Sequence, residues 1–87
     1  MAEARMEPVG RVTGFFSKAS VAVVDLSGAL AVGDQIYIKG HTTDLQQAVD
    51  SLQVDHQAVT QGSPGQTVGL KVAGRCRPHD LIYRLAA

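Results

Sequence analysis

Hydrophobic and polar residues alternate along most of this chain, in short bursts separated by turn-forming residues. From Gln35 to Lys39, Ile36 and Ile38 point one way while Gln35, Tyr37 and Lys39 point the other. A period of two marks a strand with one face on a core and one in water. Val68, Leu70 and Val72 alternate in the same way with Thr67, Gly69 and Lys71, after the turn signal Gln61-Gly62-Ser63-Pro64-Gly65-Gln66. From Ser20 to Leu26 the run is rich in β-branched residues, with Ala22, Val24 and Leu26 opposite Val21, Val23 and Asp25. Leu81 to Leu85 supplies a last strand. Val9 to Phe16 reads as a strand bent at its glycines, with Gly10, Val12, Gly14 and Phe16 on one face and Phe16 expected in the core.

Thr43 to Asp55 fits two templates. Leu45, Ala48, Val49 and Leu52 match the i, i+3, i+4, i+7 spacing of an amphipathic helix, and Thr43 with Gln46 resembles a capping box. Leu52, Val54 and His56 instead alternate with Ser51, Gln53 and Asp55, and a β-bulge between Val49 and Leu52 would absorb the change of phase. Periodicity leaves both open. Five or six short strands between turn signals predict an all-β barrel or sandwich, and closing a barrel would remove exposed edges. No internal repeat competes with this. Residues 1–7 are expected to form a loose leader, and residues 8–87 a single domain.

Composition narrows the functional classes. Of 87 residues, 45% are hydrophobic and 18% charged, with eight basic residues balancing eight acidic ones. No global field draws the chain to nucleic acid or an anionic membrane, so any polyanion site must be local. The single Cys76 cannot form an intramolecular disulfide, and the polar start lacks the apolar run of a signal peptide. The expectation is a cytoplasmic protein. No apolar run approaches the roughly 20 residues of a membrane-crossing helix, so no membrane partner is expected.

The succession Gly10-Arg11-Val12, then Leu30 through Val32-Gly33-Asp34-Gln35-Ile36-Tyr37-Ile38-Lys39-Gly40, then Gly65 through Gly69 resembles the second domain of translational GTPases such as elongation factor Tu, and especially small translation elongation factor-like proteins. Val72 to Leu85, with Arg77-Pro78-His79-Asp80-Leu81-Ile82, is similar to the barrel appended to collagenase-like peptidase-family proteins. Both resemblances imply a small closed six-stranded Greek-key-type β-barrel, with Asp44 to Asp55 mostly strand. The chain departs from the elongation factors between Gly14 and Leu30 and again at Leu81-Ile82-Tyr83-Arg84. None of the aminoacyl-tRNA contacts is therefore carried over.

Motifs for chemistry are sparse. Gly62-Ser63-Pro64-Gly65 is too short for a phosphate-cradling loop and has no lysine, so neither a nucleotide nor any other cofactor is expected. Cys76-x-x-His79-Asp80 lacks the paired spacing of zinc sites, and no Gly-x-Ser-x-Gly presents a nucleophile. A catalytic Cys76 would need its thiol activated by Arg75 and Arg77. No enzymatic activity is expected. Arg75 and Arg77 alternate, so an extended segment turns both to one side, where with Lys39 they offer phosphate contacts. Tyr37, opposite Ile36 and Ile38, is a candidate for stacking. The reading that follows from the elongation-factor resemblance is a non-catalytic binding module docking on tRNA or another RNA, or on a ribonucleoprotein, through Arg75, Arg77, Lys39 and Tyr37. The collagenase-like resemblance implies an alternative, an accessory protein-interaction barrel for a separately encoded peptidase-family-like or RNA-modifying enzyme.

Overall fold

The computed structural model describes residues 5–86, which hold ten strands and no helix. They are β1 (Arg5–Phe16), β2 (Val21–Leu26), β3 (Leu30–Ala31), β4 (Gln35–Lys39), β5 (Asp44–Ala48), β6 (Leu52–Val54), β7 (Gln57–Val59), β8 (Gln61–Gly62), β9 (Thr67–Lys71) and β10 (Leu81–Ala86). Strand pairing begins at Arg5, ahead of the boundary expected at Pro8, and the first four residues of the expected leader lie outside the described residues. No helix among the described residues is long and apolar enough to cross a membrane.

Two bulges shape β1. Pro8 pairs with Tyr83 but Gly10 with Ile82, and Val12 pairs with Val24 but Gly14 with Val23. An extra residue on one strand reverses which face the following side chains take. After the second bulge Phe15 packs against the core and Phe16 stands 62% exposed. This corrects the expectation for Phe16: strict alternation was carried across Thr13, where the ladder slips. At Gly10 the neighbouring strand comes so close that a Cβ would lie 2.7 Å from Val24 Cγ1.

Eight strands form one antiparallel sheet in the order β5-β4-β10-β1-β2-β9-β6-β7, while β3 and β8 pair separately. The ladder ends at β5 and β7, so the closed six-stranded barrel is not what forms. The sheet still wraps on itself, because Asp44 to Val54 pairs with β4 through its first half and with β9 through its second. Between the halves the Val49 amide bonds Asp34 O and the Val49 carbonyl accepts from Gly33 N, leaving the ladder interrupted. Gln47 spans the gap: its Nε2 donates to Lys71 O at 2.9 Å and its Oε1 accepts from Ala73 N at 2.7 Å. A side-chain amide thus stands where a neighbouring backbone amide would complete a barrel.

Gln47 also explains the helical period. It takes an inner position of β5 beside Leu45, where strand alternation calls for an apolar residue, and so erases the period of two. The backbone of residues 44–48 is strand because β4 otherwise presents an unpaired row of amides and carbonyls. Val12, Val24, Ile36, Ile38, Leu52, Leu70 and Ile82 have no solvent exposure and fill the interior from six strands. Each such burial contributes about 1.5–3 kcal/mol.

Candidate functional site

One turn design introduces three strands of the sheet. In Ala31–Asp34, Ser63–Gln66 and Arg77–Asp80 the amide of the fourth residue donates to the carbonyl of the first at 3.1 Å. The side chain of the fourth residue accepts in return from the first amide: Asp34 Oδ2 at 2.9 Å, Gln66 Oε1 at 2.7 Å and Asp80 Oδ2 at 2.9 Å. The third residue has φ of 98° at Gly33, 89° at Gly65 and 77° at His79. These are the features of a type II turn, whose third position favours glycine. The turns deliver the chain into β4, β9 and β10.

The third copy positions the arginines. Cys76 and Asp80 are buried, while Arg75, Arg77, Pro78 and His79 are exposed. His79 N donates to Val12 O, and Val12 N to Asp80 O, each at 2.8 Å, which pins the turn to β1. Gly40 makes room for the Asp80 carboxylate, since a Cβ there would meet Asp80 Oδ1 at 1.8 Å. The outcome is a held loop above a concavity of about 520 Å³ lined by Phe15, Arg75, Cys76, Arg77, Pro78 and His79, with no carboxylate in the lining. Burial pushes the Cys76 thiol from 9.0 to about 11, and the Asp80 charge adds to the shift. The arginines therefore do not activate it, and at neutral pH it is a protonated, buried thiol. Among the described residues no three His, Cys, Asp or Glu side chains gather to hold a metal ion.

Lys39 and Tyr37 fall on a different surface. Lys39 pairs with Leu81, just beyond Asp80, and so sits at the foot of the arginine loop. Tyr37 lies one row further, with Tyr83 on one side and Gln46 on the other. Its hydroxyl donates to Asp44 Oδ1, and that hydrogen bond is the main cause holding the phenol above its ordinary value, with burial and the Asp44 charge contributing less.

The row continues across β10 to Pro8, so Tyr37, Tyr83 and Pro8 share the outward face of β4, β10 and β1. Met6, 48% exposed, and Leu81, 40% exposed, lie in the flanking rows. Arg11, Lys39, Asp44 and Gln46 ring this apolar centre. Tyrosines at the middle and charges at the rim are the usual anatomy of a protein-binding face. Tyr83 is legible from sequence as a further stacking candidate, but its place beside Tyr37 and the part played by Pro8 are not, because only the register of three strands distant in the chain brings them together.

No family model matches the chain. It is 38% identical over 78 residues to an uncharacterized protease of Methanocaldococcus jannaschii, a match covering 88% of this chain and 19% of that protein. It is 36% identical over 78 residues to a collagenase of Porphyromonas gingivalis, covering 87% of this chain and 22% of the collagenase. The chain is homologous to a segment of the collagenase-like proteins. It spans about a fifth of the length of these curated relatives. The C-terminal domain of a putative U32 peptidase from Geobacillus thermoleovorans has the same fold, with a TM-score of 0.84 at 20% identity, covering 90% of this chain and 91% of that domain. A selenomethionine variant of that domain superposes with a TM-score of 0.83. These findings support the collagenase-like resemblance, whereas they lend none to a translation factor.

Proposed function

We propose that this domain is a non-catalytic accessory module of collagenase-like peptidase-family proteins, docking on the remainder of such a protein through the outward face of β4, β10 and β1. The observation that carries the reading is the match to about a fifth of much longer relatives. In them the homologous segment adjoins a large additional mass, and the Tyr37–Tyr83–Pro8 row offers it an apolar, aromatic surface with a charged rim. The buried Cys76 thiol, held at about 11, supports a binding role over a nucleophilic one. A chimera tests this, with the present chain replacing the matching segment of the M. jannaschii relative. Leu81→Asp alters an exposed side chain, so it should leave the melting temperature of the isolated domain nearly unchanged. In the chimera it should lower the melting temperature of the domain by several degrees, on the order of 1–2 kcal/mol of lost contact. Equal effects in both settings would reject the docking face.

A second reading has its own observation, the concavity lined by Arg75, Arg77 and His79 without a carboxylate. It suits the phosphates of tRNA or another RNA. Binding of labelled tRNA measured by anisotropy should weaken steeply with salt, and Arg75→Ala with Arg77→Ala should flatten that slope by about 2. Absence of binding at low salt would dismiss it.

A further inference from the structure

The outward face of β1, β2, β9 and β6 carries a second cleft, of about 530 Å³. Its floor is the row Val23–Gly69–Gln53, with Val21 beside it. Gly69 keeps this floor low, as any side chain there would rise into the cleft and press Val21 Cγ1 at 3.3 Å. Exposed Phe16 stands opposite Val21 at one end. Asp55 and His56 stand at the other, where Thr67 donates to Asp25 Oδ1 at 2.9 Å.

Its charge makes this more than an apolar dent. Asp55 and His56, at φ 52° and 65°, form the two-residue turn that joins β6 to β7 and brings the Asp55 carboxylate to one end of the cleft. Asp25 lies beyond Thr67 on the same side, with Arg11 opposite it on β1, whereas Lys71 pairs with Val21 near the Phe16 end. Val21 to Asp25 spans about 13 Å, the length of a short extended peptide.

We propose that this cleft binds an extended peptide, with an aromatic or long aliphatic side chain seated over Gly69 between Val21, Val23 and Phe16. A lysine or arginine one or two residues away meets the Asp25 and Asp55 carboxylates. Those carboxylates disfavour a polyphosphate chain. The cleft uses strands β2, β9 and β6, which the docking face does not, so either proposal survives the failure of the other.

The test is a titration of isotope-labelled protein with acetyl-Phe-Lys-amide, acetyl-Phe-Glu-amide and acetyl-Ala-Lys-amide, followed by amide chemical shifts. Acetyl-Phe-Lys-amide should move Val21, Val23, Gly69 and Gln53. The Glu peptide should bind about fivefold more weakly, and the Ala peptide more weakly still. Asp55→Asn retains a residue that tolerates positive φ and should reduce the preference for Lys over Glu. Phe16→Ala, at an exposed site, should weaken the Phe peptide in a protein whose spectrum is otherwise native. Equal affinity for the three peptides, or shifts confined to residues 74–79, would overturn the proposal.

Discussion

The turn at Ser63–Gln66 and the turn at Arg77–Asp80 share their hydrogen bonds and differ in almost everything else. The first has glycine where φ is positive, an exposed capping Gln66 and no nearby cluster of charge. The second places His79 at φ 77°, caps with buried Asp80, and carries two arginines on either side of buried Cys76. One geometry is thus held in two ways. At Ser63–Gln66 glycine takes the conformation without strain, and the cap is an exposed side chain. Both turns are bonded to a neighbouring strand by two backbone bonds, Ser63–Gln66 to Leu26 and Arg77–Asp80 to Val12, but at Arg77–Asp80 the buried Asp80 carboxylate against Gly40 must also hold a histidine at positive φ. A loop fixed from beneath can present Arg75, Arg77 and His79 without depending on their own preferences.

Removing the caps gives the largest test of this contrast. Asp80→Ala leaves the Arg77 amide without its acceptor and a void against Gly40, and should cost about 2–3 kcal/mol in chemical denaturation. Gln66→Ala leaves the exposed Ser63 amide to water and should cost about 0.5–1 kcal/mol. Comparable losses would show that the two turns are held alike. Exchanging the residues at positive φ is the next step down. Gly65→Ala should destabilise by about 1 kcal/mol, and His79→Gly should stabilise by less than about 1 kcal/mol, since relief of strain exceeds the added chain entropy only slightly.

The smallest effect is a pH dependence peculiar to the arginine loop. The folded Cys76 thiol titrates near 11, above the 9.0 of the free group. The folded state therefore keeps a proton that the unfolded state has lost, and the resulting stability is complete below pH 9 and falls as pH rises from 9 to 11. Cys76→Val should flatten that part of the stability profile, and Asp80→Asn should move its upper limit down. A slope unchanged by Cys76→Val would place the titration elsewhere.

How far the sequence reveals this molecule depends on what each feature requires. Residues 35–39 and 67–71 are plain as strands because polar and apolar residues alternate without a slip, and residues 81–85 because a run of strand-forming residues follows a turn. The parity of Phe15 and Phe16 is hidden because Thr13 is an inserted residue whose effect exists only against β2. The strand at 44–48 is masked by Gln47, an inward polar residue whose partners are 24 and 26 positions away. Whether the barrel closes is equally invisible, since it depends on how the backbone around Val49 is engaged. β3, β7 and β8, of two or three residues, carry no period of their own. The arginine pair is legible from spacing within one loop. The tyrosine and proline row is not, because it needs the registers of β1, β4 and β10 together. The recurring turn is written as Gly33-Asp34, Gly65-Gln66 and His79-Asp80, and the histidine conceals the third copy.

The docking face is tested most directly by hydrogen exchange, comparing the isolated domain with the chimera that carries it in place of the M. jannaschii segment. Slower amide exchange in the chimera at residues 6–7, 35–39 and 81–85, with residues 21–23 and 67–70 unchanged, is the predicted result. Identical exchange across residues 6–7, 35–39 and 81–85 in the two proteins would contradict it.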